Sequence, residues 1–140
     1  QKTGGCNNFT QIPNGLPGVE TRLPIVFTEG VVRGRLTPER FVELTATAPA
    51  RIFGLTKKGR IEPGADADLI VVDPDRELTV SAAVLHSDID YSPYDGMKLN
   101  GFPTWTISRG QVIVDERALS AERGRGRLVE RVPIDRPSLQ

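Results

Sequence analysis

The sequence contains one cysteine, one histidine, one methionine and one tryptophan in 140 residues. A lone cysteine cannot close an internal disulfide, so the chain reads as built for a reducing compartment, and a cytoplasmic protein is expected. Cys6 sits among Gly4, Gly5, Asn7 and Asn8 with no histidine nearby, which favours an inert loop thiol over a nucleophile. The single histidine, His86, cannot by itself build a two-metal hydrolytic centre, which needs several histidines and carboxylates. A structural or solvent-facing role is expected for it. Charge of one sign is missing too: Lys+Arg and Asp+Glu stand at 18 each. That balance leaves no electrostatic footprint for nucleic acid or an anionic membrane, and Arg123-Gly-Arg-Gly-Arg127 reads as a solvated basic tail. No apolar run approaches the ~20 residues that span a bilayer, and no signal-peptide core is visible. The first residue is Gln, not Met, so the chain reads as processed or truncated.

Two chemical signatures are also missing. Asp66, Asp68 and Asp73 lack the spacing and the final Glu of a calcium loop, so they read as turn and strand-end carboxylates. No Gly-x-Ser-x-Gly elbow supports Ser/His/Asp catalysis.

What is present is concentrated in Lys58-Gly59-Arg60-Ile61-Glu62-Pro63-Gly64-Ala65-Asp66-Ala67-Asp68-Leu69-Ile70-Val71-Val72-Asp73. Gly59 and Gly64 supply positive φ at two turns. Leu69–Val72 is a β-branched run expected to form a strand buried on both faces. Upstream, residues 1–23 are rich in Gly, Pro and Asn and read as a long loop. Pro24 is expected to open a helix through Val32, with Gly34 beyond its end. Thr37 as N-cap and Pro38 at the first helical position start a second helix, with Phe41, Leu44 and Thr45 on one face. Pro49 ends or restarts it, and Gly54 closes the last turn. Downstream, Glu77–Val80 is a short strand, and Phe102–Ser108 with Gln111–Asp115 forms a hairpin about Arg109-Gly110. From Glu116 onward no core face is visible. Helices precede strands without βαβ alternation, an odd order for an independent α/β domain.

The Lys58–Asp73 stretch resembles the C-terminal signature of the amidohydrolase superfamily. The segment from Phe9 to Leu23, with Ile12-Pro13-Asn14-Gly15, is similar to the one after the eighth barrel strand of hydantoinases and dihydropyrimidinases. Leu85-His86-Ser87-Asp88-Ile89-Asp90-Tyr91-Ser92-Pro93-Tyr94-Asp95-Gly96-Met97, then Gly101-Phe102-Pro103 and Ser108-Arg109-Gly110, fit the same family. Three separated motifs in order carry the resemblance, from about Gln1 to Pro133. Gly5-Cys6-Asn7-Asn8 departs from it, because the family usually has charged residues there.

The resemblance implies an α/β parent: a TIM-like metal-dependent hydrolase barrel plus a composite β-sandwich. This chain would hold the last barrel loop and helices in 1–54, sandwich strands in 55–118 and an extended tail in 119–140. The parent would be a D-hydantoinase or dihydropyrimidinase hydrolysing the ring amide of hydantoins or dihydropyrimidines with a metal-activated hydroxide. Two divalent metals, zinc by resemblance, would be held upstream. No catalytic residue and no metal ligand falls in this chain, and Lys2, Lys57, Lys58 and Lys98 lie outside any motif for a carboxylated lysine. The main chain of Asn14 maps onto the family's contact to the cyclic amide or imide ring, and Gly15 onto its turn. A turn backbone offers one donor and one acceptor, the complement of a cis-amide edge. The fragment alone is expected to be inactive, and the parent a homo-oligomer, dimer or tetramer, with 123–133 docked on a neighbour. The alternative is a non-catalytic dihydropyrimidinase-related scaffold, such as the collapsin response mediator proteins, or an oligomerisation module. Allantoinases and dihydroorotases fit less well.

Overall fold

A computed structural model describes residues 7–12 and 14–133. Cys6, Lys2, Pro13 and the last seven residues of the tail lie outside them. Helices come first and strands second, as the sequence suggests. After a single turn at Phe9–Gln11, helix α1 spans Val19–Val26 and runs into a wider turn at Phe27–Val32. The helix therefore starts five residues before Pro24, not at it. Gly18 is the N-cap, and its carbonyl accepts from the Arg22 N–H at 3.0 Å and the Thr21 hydroxyl at 3.3 Å. Thr21 is only 1% exposed, so local burial at the helix start outweighs the missing N–H of Pro24 inside it.

The second helical stretch is one continuous rod. Helix α2, Pro38–Val42, passes through a wide turn at Glu43–Thr47 into α3, Ala48–Ile52. Thr37 caps it as expected, accepting from the Arg40 N–H at 3.2 Å. Pro49 neither ends nor restarts the helix. Its ring would crowd the Thr45 carbonyl in a regular α-turn, and the wide turn just before it makes the room. Gly54 closes α3 with φ +65°.

The strands form two antiparallel sheets. In the larger, the order is β1 (Leu69–Val72), β4 (Pro103–Ser108), β5 (Gln111–Asp115), β6 (Ala118–Leu119). The smaller pairs β2 (Glu77–Thr79) with β3 (Lys98–Asn100). The expected hairpin is present, and Arg109 and Gly110 both take positive φ, 51° and 77°, the geometry of a two-residue turn that matches strand twist. β1 departs from expectation. Ile70 is 43% and Val71 40% exposed, so neither face is closed over among the described residues.

Val80 and Leu99 are fully buried and Phe102 nearly so; Ile25, Leu78, Leu85 and Tyr94 pack on them. Helix α1 thus shares a core with the smaller sheet. The Thr28 hydroxyl repeats the link: it accepts from the Asn100 N–H at 2.9 Å and donates to the Asn100 carbonyl at 3.1 Å. Beside it, Gly101 has φ +83°, and any Cβ there would lie 2.6 Å from the Phe27 ring. Phe27 meets Phe41 edge-to-face at 5.4 Å.

Beyond β6 the tail has no helix or strand up to residue 133, and it lies on its own chain. The Arg125 guanidinium donates to the Ser108 carbonyl at 2.9 Å, and the Val132 N–H donates to the Gly54 carbonyl at 3.0 Å.

Candidate functional site

Asn14 and Gly15 lie on an exposed loop between the Phe9–Gln11 turn and α1. Gly15 has φ +81°, so the Asn-Gly turn does use the left-handed conformation that glycine permits. Asn8 steadies the loop's start, accepting from the Thr10 N–H at 3.1 Å and the Thr10 hydroxyl at 2.7 Å. Phe9, Leu16 and Val19 expose 82%, 65% and 90% of their surface. That is a wide apolar display for a segment so poor in charge.

The loop's far end is fixed by charge. Glu20 stands in the first turn of α1, where the helix N-terminus favours a carboxylate. Its Oε2 accepts from the His86 backbone N–H at 2.7 Å, and its Oε1 lies 2.8 Å from His86 Nδ1. The other ring nitrogen, Nε2, lies 2.7 Å from the Arg117 carbonyl oxygen. Arg117 Nη2 donates to Glu20 Oε1 at 3.2 Å and to the Val84 carbonyl, and the guanidinium sits 5.2 Å from the Phe102 ring centroid. Both nitrogens of His86 therefore face acceptors. The hydrogen bond to the Glu20 side chain, then the one to the Arg117 backbone, raise its pKa above the ordinary 6.5. Burial works against the charge on Glu20, but the hydrogen bonds from His86 outweigh it and hold the carboxyl below its ordinary value.

His86 is thus structural, as expected, but its partners were not foreseen. Glu20 lies 66 residues away, and Arg117 lies 97 residues from Glu20. No local spacing announces such contacts.

A second polar cluster occupies the signature stretch. Lys58 Nζ pairs with Asp66 at 2.8 Å and with Asp68, and Asp68 Oδ1 accepts from the Arg109 N–H at 2.7 Å. Hydrogen bonds to the two carboxylates raise the Lys58 pKa. For Asp68 burial opposes ionisation, yet Lys58 and the Arg109 amide bring its pKa down. Asp68 is therefore more than a local turn residue: it ties the signature loop to the β4–β5 turn. Gly59 and Gly64 take φ +75° and +93°, as their place at turns requires. Asp73 accepts from the Asp75 N–H at 3.0 Å, a local turn bond.

Among the described residues no three His, Cys, Asp or Glu side chains come together as metal ligands. Among those residues the donor set of a hydrolytic metal pair is not assembled.

The amidohydrolase family model matches residues 5–113. The chain belongs to the amidohydrolase family. Among curated relatives, the D-phenylhydantoinase of Escherichia coli K12 is 44% identical over 133 residues, 94% of this chain and 29% of the relative. A solved D-hydantoinase structure shares 44% identity at TM-score 0.86, covering 94% of this chain and 29% of that one. The dihydropyrimidinase of Brevibacillus agri shares 39% at TM-score 0.91, covering 98% and 30%. The L-hydantoinase of Arthrobacter aurescens shares 40% at TM-score 0.83, covering 93% and 29%. This amidohydrolase chain thus spans about three-tenths of the length of the relatives it matches, and its fold is that of the matching part of the hydantoinases.

Proposed function

We propose that the chain is the C-terminal part of a cyclic amidohydrolase that opens the ring amide of hydantoins or dihydropyrimidines. The observation that carries this reading is similarity over nearly the whole chain, at about two-fifths identity, to proteins named hydantoinase and dihydropyrimidinase. The relatives named above carry hydantoinase and dihydropyrimidinase names, which favours this reading over the scaffold or oligomerisation-module alternatives. Segments 1–54, 55–118 and 119–140 correspond in this reading to the end of the barrel, the β-sandwich part and the tail.

The role assigned here to the chain is substrate positioning. The main-chain N–H and C=O of Asn14 would pair with the ring amide edge, and the left-handed Gly15 would shape the turn that presents them. Two divalent cations, zinc by family resemblance, would be held by residues outside this chain. The full-length protein is proposed to be a cytoplasmic homo-oligomer. D- and L-hydantoinases match at similar identity, so enantiomer choice is assigned to loops outside this segment.

The test is turnover by the full-length, metal-loaded protein of hydantoin, 5-substituted hydantoins and dihydrouracil, followed by loss of ring absorbance. Ring opening of at least one of these is expected, with allantoin and dihydroorotate poor substrates. Efficient turnover of allantoin or dihydroorotate alone would overturn the reading.

A further inference from the structure

We propose that His86, through Glu20 and Arg117, is a positioning residue for the Asn14–Gly18 loop, and that its ionisation state sets how firmly that loop is held. The proposal rests on the reading of Asn14 as a ring contact. Glu20 lies six residues from Asn14 and two beyond Gly18, the residue that ends the loop and caps α1. What holds Glu20 holds the loop's C-terminal anchor.

Three elements converge on that carboxylate: α1 carries it, the segment after Val84 brings His86, and the β5–β6 turn brings Arg117. The charged groups facing His86 are Glu20 from α1 and Arg117 from that turn. An imidazolium donates from Nδ1 to Glu20 and from Nε2 to the Arg117 carbonyl at once. A neutral ring keeps one N–H and must turn a lone pair toward either a carboxylate or a carbonyl. One arm of the clasp is then lost.

Arg117 lies in the two-residue turn that joins β5 to β6. Glu116 and Arg117 take φ 44° and 74° with no glycine at either position. A two-residue hairpin turn calls for that conformation, and without glycine it carries a strain that neighbouring contacts offset. The contacts around it are the His86 contact to the Arg117 carbonyl, the Arg117 guanidinium on Glu20, Val84 and Phe102, and the Arg76 guanidinium on Glu116 at 2.7 Å. The turn so held places the Arg117 carbonyl against the histidine.

The experiment uses the full-length protein as wild type, His86→Gln and Glu20→Gln, with metal content checked in each. The KM and kcat for a hydantoin are measured between pH 6 and 9. Amide exchange over residues 14–22 is followed in parallel and corrected for base catalysis. Wild type should show KM rising, and exchange quickening, as pH passes the His86 ionisation. His86→Gln should have KM raised on the order of tenfold, below the ~100-fold that a 1 Å misplacement can cost. Both its KM and its exchange should be flat in pH, with kcat and metal content little changed. Glu20→Gln should abolish the same pH dependence. Wild-type KM, pH profile and exchange in His86→Gln would overturn the proposal. If the protein opens no cyclic amide, the ring-contact reading fails and exchange alone decides: His86-dependent protection of 14–22 upholds the positioning role, and its absence overturns that too.

Discussion

Glycines with positive φ mark where a side chain would do harm, and they do so for different reasons. At Gly15 nothing lies within 4 Å of a would-be Cβ, so the constraint is backbone conformation alone. Gly15→Val in the full-length protein should therefore deform the turn and lower kcat/KM for a cyclic amide more than Asn14→Ala does. The latter removes a side chain that the proposed main-chain contact does not use. Steady-state kinetics of both variants check this; equal and negligible effects would place the loop away from the ring. At Gly101 the obstacle is also a neighbour. Gly101→Ala adds a Cβ against Phe27 and strains φ +83°, so a lowered melting temperature is expected, by more than for Gly124→Ala, which meets only open space. Gly15, Gly59 and Gly64 were legible as turn positions because glycine carries that signal in its own identity. Glu20 and Arg117 were not: a carboxylate and a guanidinium look alike whether solvated or clasped, and only the fold reveals the partner.

At the scale of elements, local chemistry announced what it controls and missed what packing controls. The Thr37 cap, the Pro38 start and the Arg109-Gly110 hairpin follow from side-chain and φ preferences of adjacent residues. The start of α1 and the passage through Pro49 do not, because burial of Thr21 and the widened turn at Glu43–Thr47 override proline's usual effect. Strand β3 went unread because Lys98-Leu99-Asn100 is too short to show a period; its only inward residue, Leu99, is fully buried. β6 went unread because the turn before it lacks Gly or Asn. The Phe27–Phe41 contact is the packing that joins the two helical stretches. Phe41→Ala should cost about 3–5 kcal/mol of stability, by analogy with other large-to-small core changes, measured by denaturant unfolding of the full-length protein. A loss below that range would mean Phe41 is covered loosely.

For the whole molecule, exposed apolar surface and titrating clasps set the behaviour. The larger sheet leaves Ile70, Val71, Trp105 and Val112 between 40% and 46% exposed, and the helical rod leaves Ile52 and Phe53 about three-fifths exposed. The isolated chain is expected to associate, since open strand edges and uncovered apolar faces favour it. Light scattering of a dilution series checks this, and a compact, cooperatively folding monomer at high dilution would refute it. The same preparation should retain no stoichiometric zinc after mild chelation. These groups should make stability greatest in the mildly acidic range, above the ordinary carboxylate values and below about pH 6.5. Glu20 and Asp68 have lowered pKa values, so their contribution is present above the ordinary carboxylate range and is lost as pH falls through the lowered values. His86 has a raised pKa, so its contribution is full below about 6.5 and fades as pH rises through the raised value. Unfolding midpoints of the full-length protein against pH test both arms; His86→Gln should remove the alkaline one and weaken the Glu20 part of the acid one, leaving the Asp68 part.

The 97-residue span between Glu20 and Arg117 has a consequence during synthesis. A ribosome adding about 5–20 residues per second leaves roughly 5–20 seconds between the appearance of the two. Closing so long a loop also costs more than closing the local turns around it. Helix α1 and the loop before it therefore leave the exit tunnel with a bare carboxylate, which gains His86 first and its full set of partners only when the end of the sheet emerges.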